Sequence, residues 1–210
     1  MKEHYFLFDF DGVLVDSMEF WAGIHIRTLE QAGLPVPADF VQTITPLGNE
    51  NASRHTLSLG VDIPLEQYLA RVSQTLYTGY TTKIALKPYV ADTLARLKAD
   101  GLHLNVLTAS PHLYADPCLQ RHGIFHLFEH VWTIEDFGLT KDQPEIYRAA
   151  AARLGADPAR CTLLDDNLTA IQTACAAGLQ TIGVYDKLSA ENEAALRRTA
   201  GRYIRDFSEL

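Results

Sequence analysis

The stretch Tyr5-Phe6-Leu7-Phe8-Asp9-Phe10-Asp11-Gly12 decides the fold. A short, unbroken apolar run that ends in a turn signal is what a strand covered on both faces needs, so residues 5–8 read as a central strand of a parallel sheet. Asp9 and Asp11 then fall where that strand meets the sheet's C-terminal edge, the edge at which open α/β sheets bind ligands. Two carboxylates this close, set against Phe8 and Phe10, repel each other in a partly buried place and demand a cation, a shared proton or both. Gly12 permits a sharp backbone departure directly afterwards.

Working outward, further apolar runs stand at 102–107, 130–133, 162–164 and 181–184, with helical segments between them. This βα alternation specifies an α/β fold, a parallel sheet sandwiched by helices. Roughly ninety residues separate the first two strands, where a single crossover needs about a dozen. Something is inserted there. Over 17–33, Met18, Trp21, Ile24, Leu29 and Ala32 recur at spacings near three and four before Gly33 and Pro35, the pattern of an amphipathic helix with its stop. Further helices are expected at 39–45, 50–59 and 65–80, punctuated by Pro46-Leu47-Gly48 and Gly60-Val61-Asp62-Ile63-Pro64. The expected organisation is a core domain of residues 1–16 and 84–210 and a small helical domain of residues 17–83. A core helix over 90–100 stops at Gly101.

Composition narrows the function. The 210 residues are 47% hydrophobic and 21% charged, as in an ordinary globular protein. The formal net charge of -8, from 26 acids against 18 Lys and Arg with no basic stripe, argues against nucleic acid as a partner and for a small molecule. The apolar segment after Met1-Lys2-Glu3-His4 is too short for a signal peptide, and no stretch approaches the about twenty apolar residues of a membrane span. Cys118, Cys161 and Cys175 show no metal-binding spacing and read as small buried hydrophobes, which points to a reduced, cytoplasmic setting.

The chemistry gathers at strand ends. Asp165-Asp166 follows Thr162-Leu163-Leu164 and precedes a helix beginning near Asn167; a helix cap accounts for one acid but not for two. With Asp9 and Asp11, these carboxylates form a hard oxygen site of the kind magnesium prefers, whereas zinc favours His and Cys. Thr108, after the second strand, offers a hydroxyl and neighbouring N–H groups to a phosphate oxygen. Lys141 supplies positive charge beside the acids.

Through Asp9-Phe10-Asp11-Gly12-Val13-Leu14-Val15-Asp16-Ser17, Thr108-Ala109-Ser110, Lys141 with Pro144-Glu145-Ile146-Tyr147, and Asp165-Asp166-Asn167, the chain resembles the haloacid dehalogenase-like hydrolase superfamily. The resemblance covers essentially the whole sequence and is to the branch with a helical cap, which includes β-phosphoglucomutase and phosphoglycolate phosphatase-like proteins. It implies a Rossmann-like core and hydrolysis of a small phosphorylated metabolite. Asp9 would be the nucleophile, forming an aspartyl-phosphate, and Asp11 the general acid and base. Mg2+ would be held by the Asp9 carboxylate, the Asp11 backbone carbonyl and Asp166, with Asp165 acting directly or through water. Gly12, Thr108, Ala109 and Lys141 would bind the phosphoryl group, and Arg54 in the cap is the candidate for a second anionic group of the substrate. The expected state is a monomer or weak homodimer.

The chain departs from the family pattern in two places. Gln143 stands where the third motif often has aspartate, and Asp165-Asp166-Asn167 where the fourth commonly has Glu-Asp-Ser. Asp11 argues for phosphate esters over haloacid or phosphonate substrates. A phosphomutase of the β-phosphoglucomutase type would place a histidine where this chain has Trp21 and a Gly-x-Ser-Arg loop where it has Gly48-Asn49-Glu50-Asn51, so hydrolysis is favoured. The alternatives are such a mutase, or a catalytically idle protein that binds a phosphorylated ligand.

Overall fold

The computed structural model describes residues 4–210; residues 1–3, where the reading of the N-terminal segment begins, lie outside it. The chain divides into two compact units, Ser17–Ile84 and a second made of Ala85–Leu210 with the segment up to Asp16. Ile84 falls in the smaller unit by its contacts.

The larger unit is built on a six-stranded, all-parallel sheet in the order β3-β2-β1-β4-β5-β6. The strands are β1 (Tyr5–Phe8), β2 (His103–Thr108), β3 (His130–Thr133), β4 (Cys161–Asp165), β5 (Gln180–Val184) and β6 (Arg202–Ile204). Its helices are α5 (Val90–Ala99), α6 (His112–Arg121), α7 (Pro144–Arg153), α8 (Leu168–Ala177) and α9 (Glu193–Thr199). The strand order reverses between β1 and β4, which makes their C-terminal ends the switch point of a Rossmann-like sheet. Leu7, Phe8, Leu163 and Leu164 are completely buried, as strands with helices on both faces must be. β6 has no counterpart in the sequence reading. It is a three-residue edge strand beginning with an exposed arginine, too short and too polar to register as an apolar run.

The smaller unit holds α1 (Met18–Gln31), α2 (Phe40–Ile44), α3 (Gly48–Ser58) and α4 (Leu65–Thr82). Its apolar faces meet in a core of Ile24, Leu29, Phe40, Ile44, Tyr68, Val72 and Leu76. Pro46-Leu47-Gly48 does not separate two helices as a loop: Thr45–Leu47 is a 3-10 turn that leads straight into α3, with Gly48 at φ 68 making the bend. α1 packs closely on α4, where a Cβ on Gly79 would run into the Phe20 ring and force it to shift. At the centre of this unit His25 is completely buried, its Nδ1 3.0 Å from both Thr56 Oγ1 and Tyr68 OH. Burial pushes its pKa down to about 4.

No helix among the described residues is long and apolar enough to cross a membrane. All three cysteines are free. Cys118 and Cys161 are buried as expected, with thiols pushed up to about 11 chiefly by burial, but Cys175 is exposed.

Candidate active site

The switch point collects the acids. The Asp9 N–H donates to Leu164 O at 2.9 Å, which fixes the end of β1 beside the end of β4, where Asp165 and Asp166 follow. Asp9, Asp165 and Asp166 are all buried, and each offers a carboxylate oxygen within 4.8 Å of the others. Asp165 Oδ1 accepts the Asn167 N–H at 2.9 Å, while Asn167, not an aspartate, caps α8 by accepting the Ala170 N–H at 3.1 Å. The acid pair is thus left over from the capping of the helix. Gly12, at φ +71, turns the chain so closely over Asp166 that a Cβ there would lie 2.9 Å from its carboxylate atoms.

Lys141 reaches into this cluster, with its Nζ 2.5 Å from Asp165 Oδ2 and 3.0 Å from Asp9 Oδ1. Burial alone would lower its pKa, but the charges of Asp165 and Asp9 outweigh that and hold the ammonium firmly protonated. Burial raises the pKa of both Asp165 and Asp166; for Asp166 the neighbouring Asp165 and Asp9 add to the rise. Fully ionised, three carboxylates against one ammonium would leave two negative charges in a buried place. The turn presenting Lys141 is held by the Tyr147 hydroxyl, which donates to Lys141 O at 3.0 Å. Gln143 keeps a role in that turn despite its departure from the family pattern, because its Oε1 accepts the Thr140 N–H at 3.0 Å.

Asp11 is placed differently from the other acids. Its carboxylate is outside the three-carboxylate cluster and accepts a hydrogen bond from Ser110 Oγ. Thr108 is buried at the end of β2, its Oγ1 accepting the Ser110 N–H at 3.0 Å, and Ala109 is exposed beside it. In the helical unit, Arg54 is exposed and its guanidinium pairs with Glu50 at 2.7 Å. The Trp21 indole N–H donates to Asn49 Oδ1 at 2.6 Å, and His25 lies inside the unit.

Four residues escaped the sequence reading of the site. Ser110 and Tyr147 stand within motifs whose pattern assigns them no part of their own. Lys87 and Asp186 form a buried ion pair at 2.8 Å. Asp186 was legible in principle, since it follows β5 much as Asp9 follows β1.

The fold and the carboxylate cluster are those of a hydrolase built on aspartates. The chain belongs to the haloacid dehalogenase-like hydrolase family, whose model matches residues 4–178. Among curated relatives, a phosphoglycolate phosphatase of Salmonella paratyphi A is 32% identical over 201 residues, covering 84% of this chain and 79% of the relative. Among solved structures, CbbY from Rhodobacter sphaeroides, in complex with xylulose-1,5-bisphosphate, shares the fold with a TM-score of 0.81 at 22% identity, covering 99% of this chain and 96% of that one. A family hydrolase from Deinococcus radiodurans with bound phosphate and sodium shares it with a TM-score of 0.77 at 24% identity, covering 99% and 93%.

Proposed function

We propose that the chain is a magnesium-dependent phosphatase of small phosphate monoesters, working through an aspartyl-phosphate on Asp9. The observation that carries this reading is the convergence of Asp9, Asp165 and Asp166 with Lys141 at the switch point. The residues fit a divalent cation. Every side-chain donor is a carboxylate oxygen, three carboxylates face one ammonium, and Gly12 lets the chain approach Asp166 more closely than a Cβ would allow. Asp9, Asp166 and the Asp11 carbonyl would hold the ion, with Asp165, already engaged by Lys141, acting directly or through water. Mg2+, when bound, supplies Lewis-acid neutralisation of phosphoryl charge.

The residues of the chain do the rest. The Asp9 carboxylate attacks phosphorus in line, and the bond from phosphorus to the ester oxygen breaks as the Asp9–phosphorus bond forms. Asp11, oriented by Ser110, gives its proton to the leaving oxygen and then takes one from the water that hydrolyses the aspartyl-phosphate. Lys141 offsets phosphoryl charge, and the Thr108 hydroxyl and the backbone N–H groups beside Ala109 bind phosphoryl oxygens. Trp21, bonded to Asn49, stands where a mutase of the β-phosphoglucomutase type would need an acid–base histidine, which supports hydrolysis. The curated relatives make phosphoglycolate the first substrate to try, and three free cysteines suit a reducing, cytoplasmic setting.

The test is release of inorganic phosphate from phosphoglycolate, a hexose 1-phosphate and an aryl phosphate, with Mg2+ and with a chelator. Mg2+-dependent release is expected. Conversion of the hexose 1-phosphate to its 6-phosphate would make the chain a mutase, and ligand binding without turnover would make it a binding protein.

A further inference from the structure

A second buried ion pair stands beside the carboxylate cluster, and the reaction proposed above does not use it. Lys87 Nζ lies 2.8 Å from Asp186 Oδ2, with side chains only 13% and 4% exposed, so the pair escapes the screening that makes surface pairs weak. Asp186 follows β5, whose Gly183 is in register with Asp165 of β4, so its charge is delivered to the edge that carries the cluster. Backbone contacts hold both partners. Asp186 Oδ1 accepts the Leu188 N–H at 2.9 Å, and Lys87 Nζ also donates to Tyr185 O at 2.7 Å. The Lys87 N–H donates to Leu14 O at 3.0 Å and the Asp16 N–H to Ala85 O at 2.9 Å, on either side of the antiparallel bridge between Val15 and Leu86. Lys87 is thereby tied both to the loop leaving Asp11 and Gly12 and to the exit of β5.

The two charges act on the neighbouring carboxylates with opposite sign: the Asp186 carboxylate opposes their negative charge and the Lys87 ammonium favours it. We infer that Lys87 and Asp186 are positioning residues of the cation site, a charge-balanced outer pair that sets how strongly the inner carboxylates hold a divalent ion and clamps the Asp11–Gly12 loop to the end of β5. This rests on the magnesium reading proposed above. Intact, the pair adds no net charge to the inner cluster. Deprived of one partner, it leaves a buried charge whose sign depends on which residue is removed.

The test is titration of Mg2+ alone into the full-length chain by calorimetry, without substrate or turnover. Lys87→Met leaves an unopposed carboxylate and tightens Mg2+ binding by about threefold or more, whereas Asp186→Asn leaves an unopposed ammonium and weakens it by about threefold or more. Lys87→Arg keeps the wild-type affinity. Opposed shifts are the expected result, because a clamp without an electrostatic part would not produce them; shifts of one sign in both variants, or none in either, overturn the inference. If a lone buried charge prevents folding, the exchanged pair Lys87→Asp with Asp186→Lys decides. It moves the cation to the exit of β5 and the carboxylate to the return at 85–87, so Mg2+ affinity shifts by about threefold or more, and an unchanged affinity overturns the inference. Wild-type chain that binds no Mg2+ would overturn the magnesium reading itself, a failure distinct from wild-type binding that the pair does not tune.

Discussion

Gly12 lies against Asp166 so closely that a Cβ on the glycine would stand 2.9 Å from three atoms of the aspartate's carboxyl group. Backbone and carboxylate are thus fitted to each other across two segments far apart in sequence. In Gly12→Ala the new methyl must displace Asp166 or the loop, and alanine at φ +71 costs a further about 1–2 kcal/mol of backbone strain. The expected result is Mg2+ affinity weakened by about tenfold or more, together with a lowered Tm, read by calorimetry and thermal unfolding. Wild-type Mg2+ affinity in a folded Gly12→Ala variant would contradict the fit.

Lys141 neutralises charge as well as any part it takes in the reaction. Lys141→Met leaves Asp9 and Asp165 facing each other in a buried place and is expected to destabilise the metal-free protein by about 3–5 kcal/mol, the cost of breaking a buried ion pair. Added Mg2+ then restores more stability in the variant than it adds to wild type, because binding is linked to folding. Denaturant unfolding with and without Mg2+ measures both effects, and equal stabilisation of the two proteins would count against the account.

His25 makes the helical unit sensitive to acid. Its folded-state pKa is depressed to about 4, below the unfolded value of 6.5, by burial. Above pH 6.5 it is neutral in both states and contributes nothing; as pH falls from 6.5 towards 4 the unfolded chain takes up a proton that the folded chain refuses, and stability drops. The loss is about 2 kcal/mol at pH 5 and about 3 kcal/mol at pH 4. Urea unfolding at pH 7 and pH 5 is expected to show a smaller drop for His25→Leu than for wild type. Equal drops would show that the ring is not the sensitive group.

What was legible in the sequence had local causes. Phe6-Leu7-Phe8 ending in Asp9, and Leu163-Leu164 ending in Asp165-Asp166, announce buried strands with acids at their ends because strand burial and strand exit are written in adjacent residues. Lys87 and Asp186 are nearly a hundred residues apart and meet only because the return to the core at 85–87 runs beside the exit of β5, which no local pattern encodes. The bond from Ser110 to Asp11 is hidden for the same reason, since it depends on β1 and β2 being neighbours in register. Gly48 misled in another way: a glycine that normally breaks a helix sits here at the bend between a 3-10 turn and α3.

Asp9 is the proposed carrier of the phosphoryl group, and Asp9→Asn tests this most directly. The substitution keeps the shape of a buried side chain while removing its nucleophilic charge. The measurement is Mg2+-dependent phosphate release from phosphoglycolate and an aryl phosphate, with rapid-quench trapping of phosphorylated protein. Wild type is expected to turn over and to show a phosphoryl group on Asp9, and the folded Asp9→Asn variant to lose at least about 1,000-fold in kcat and to trap none. Turnover by Asp9→Asn within about tenfold of wild type would contradict the claim.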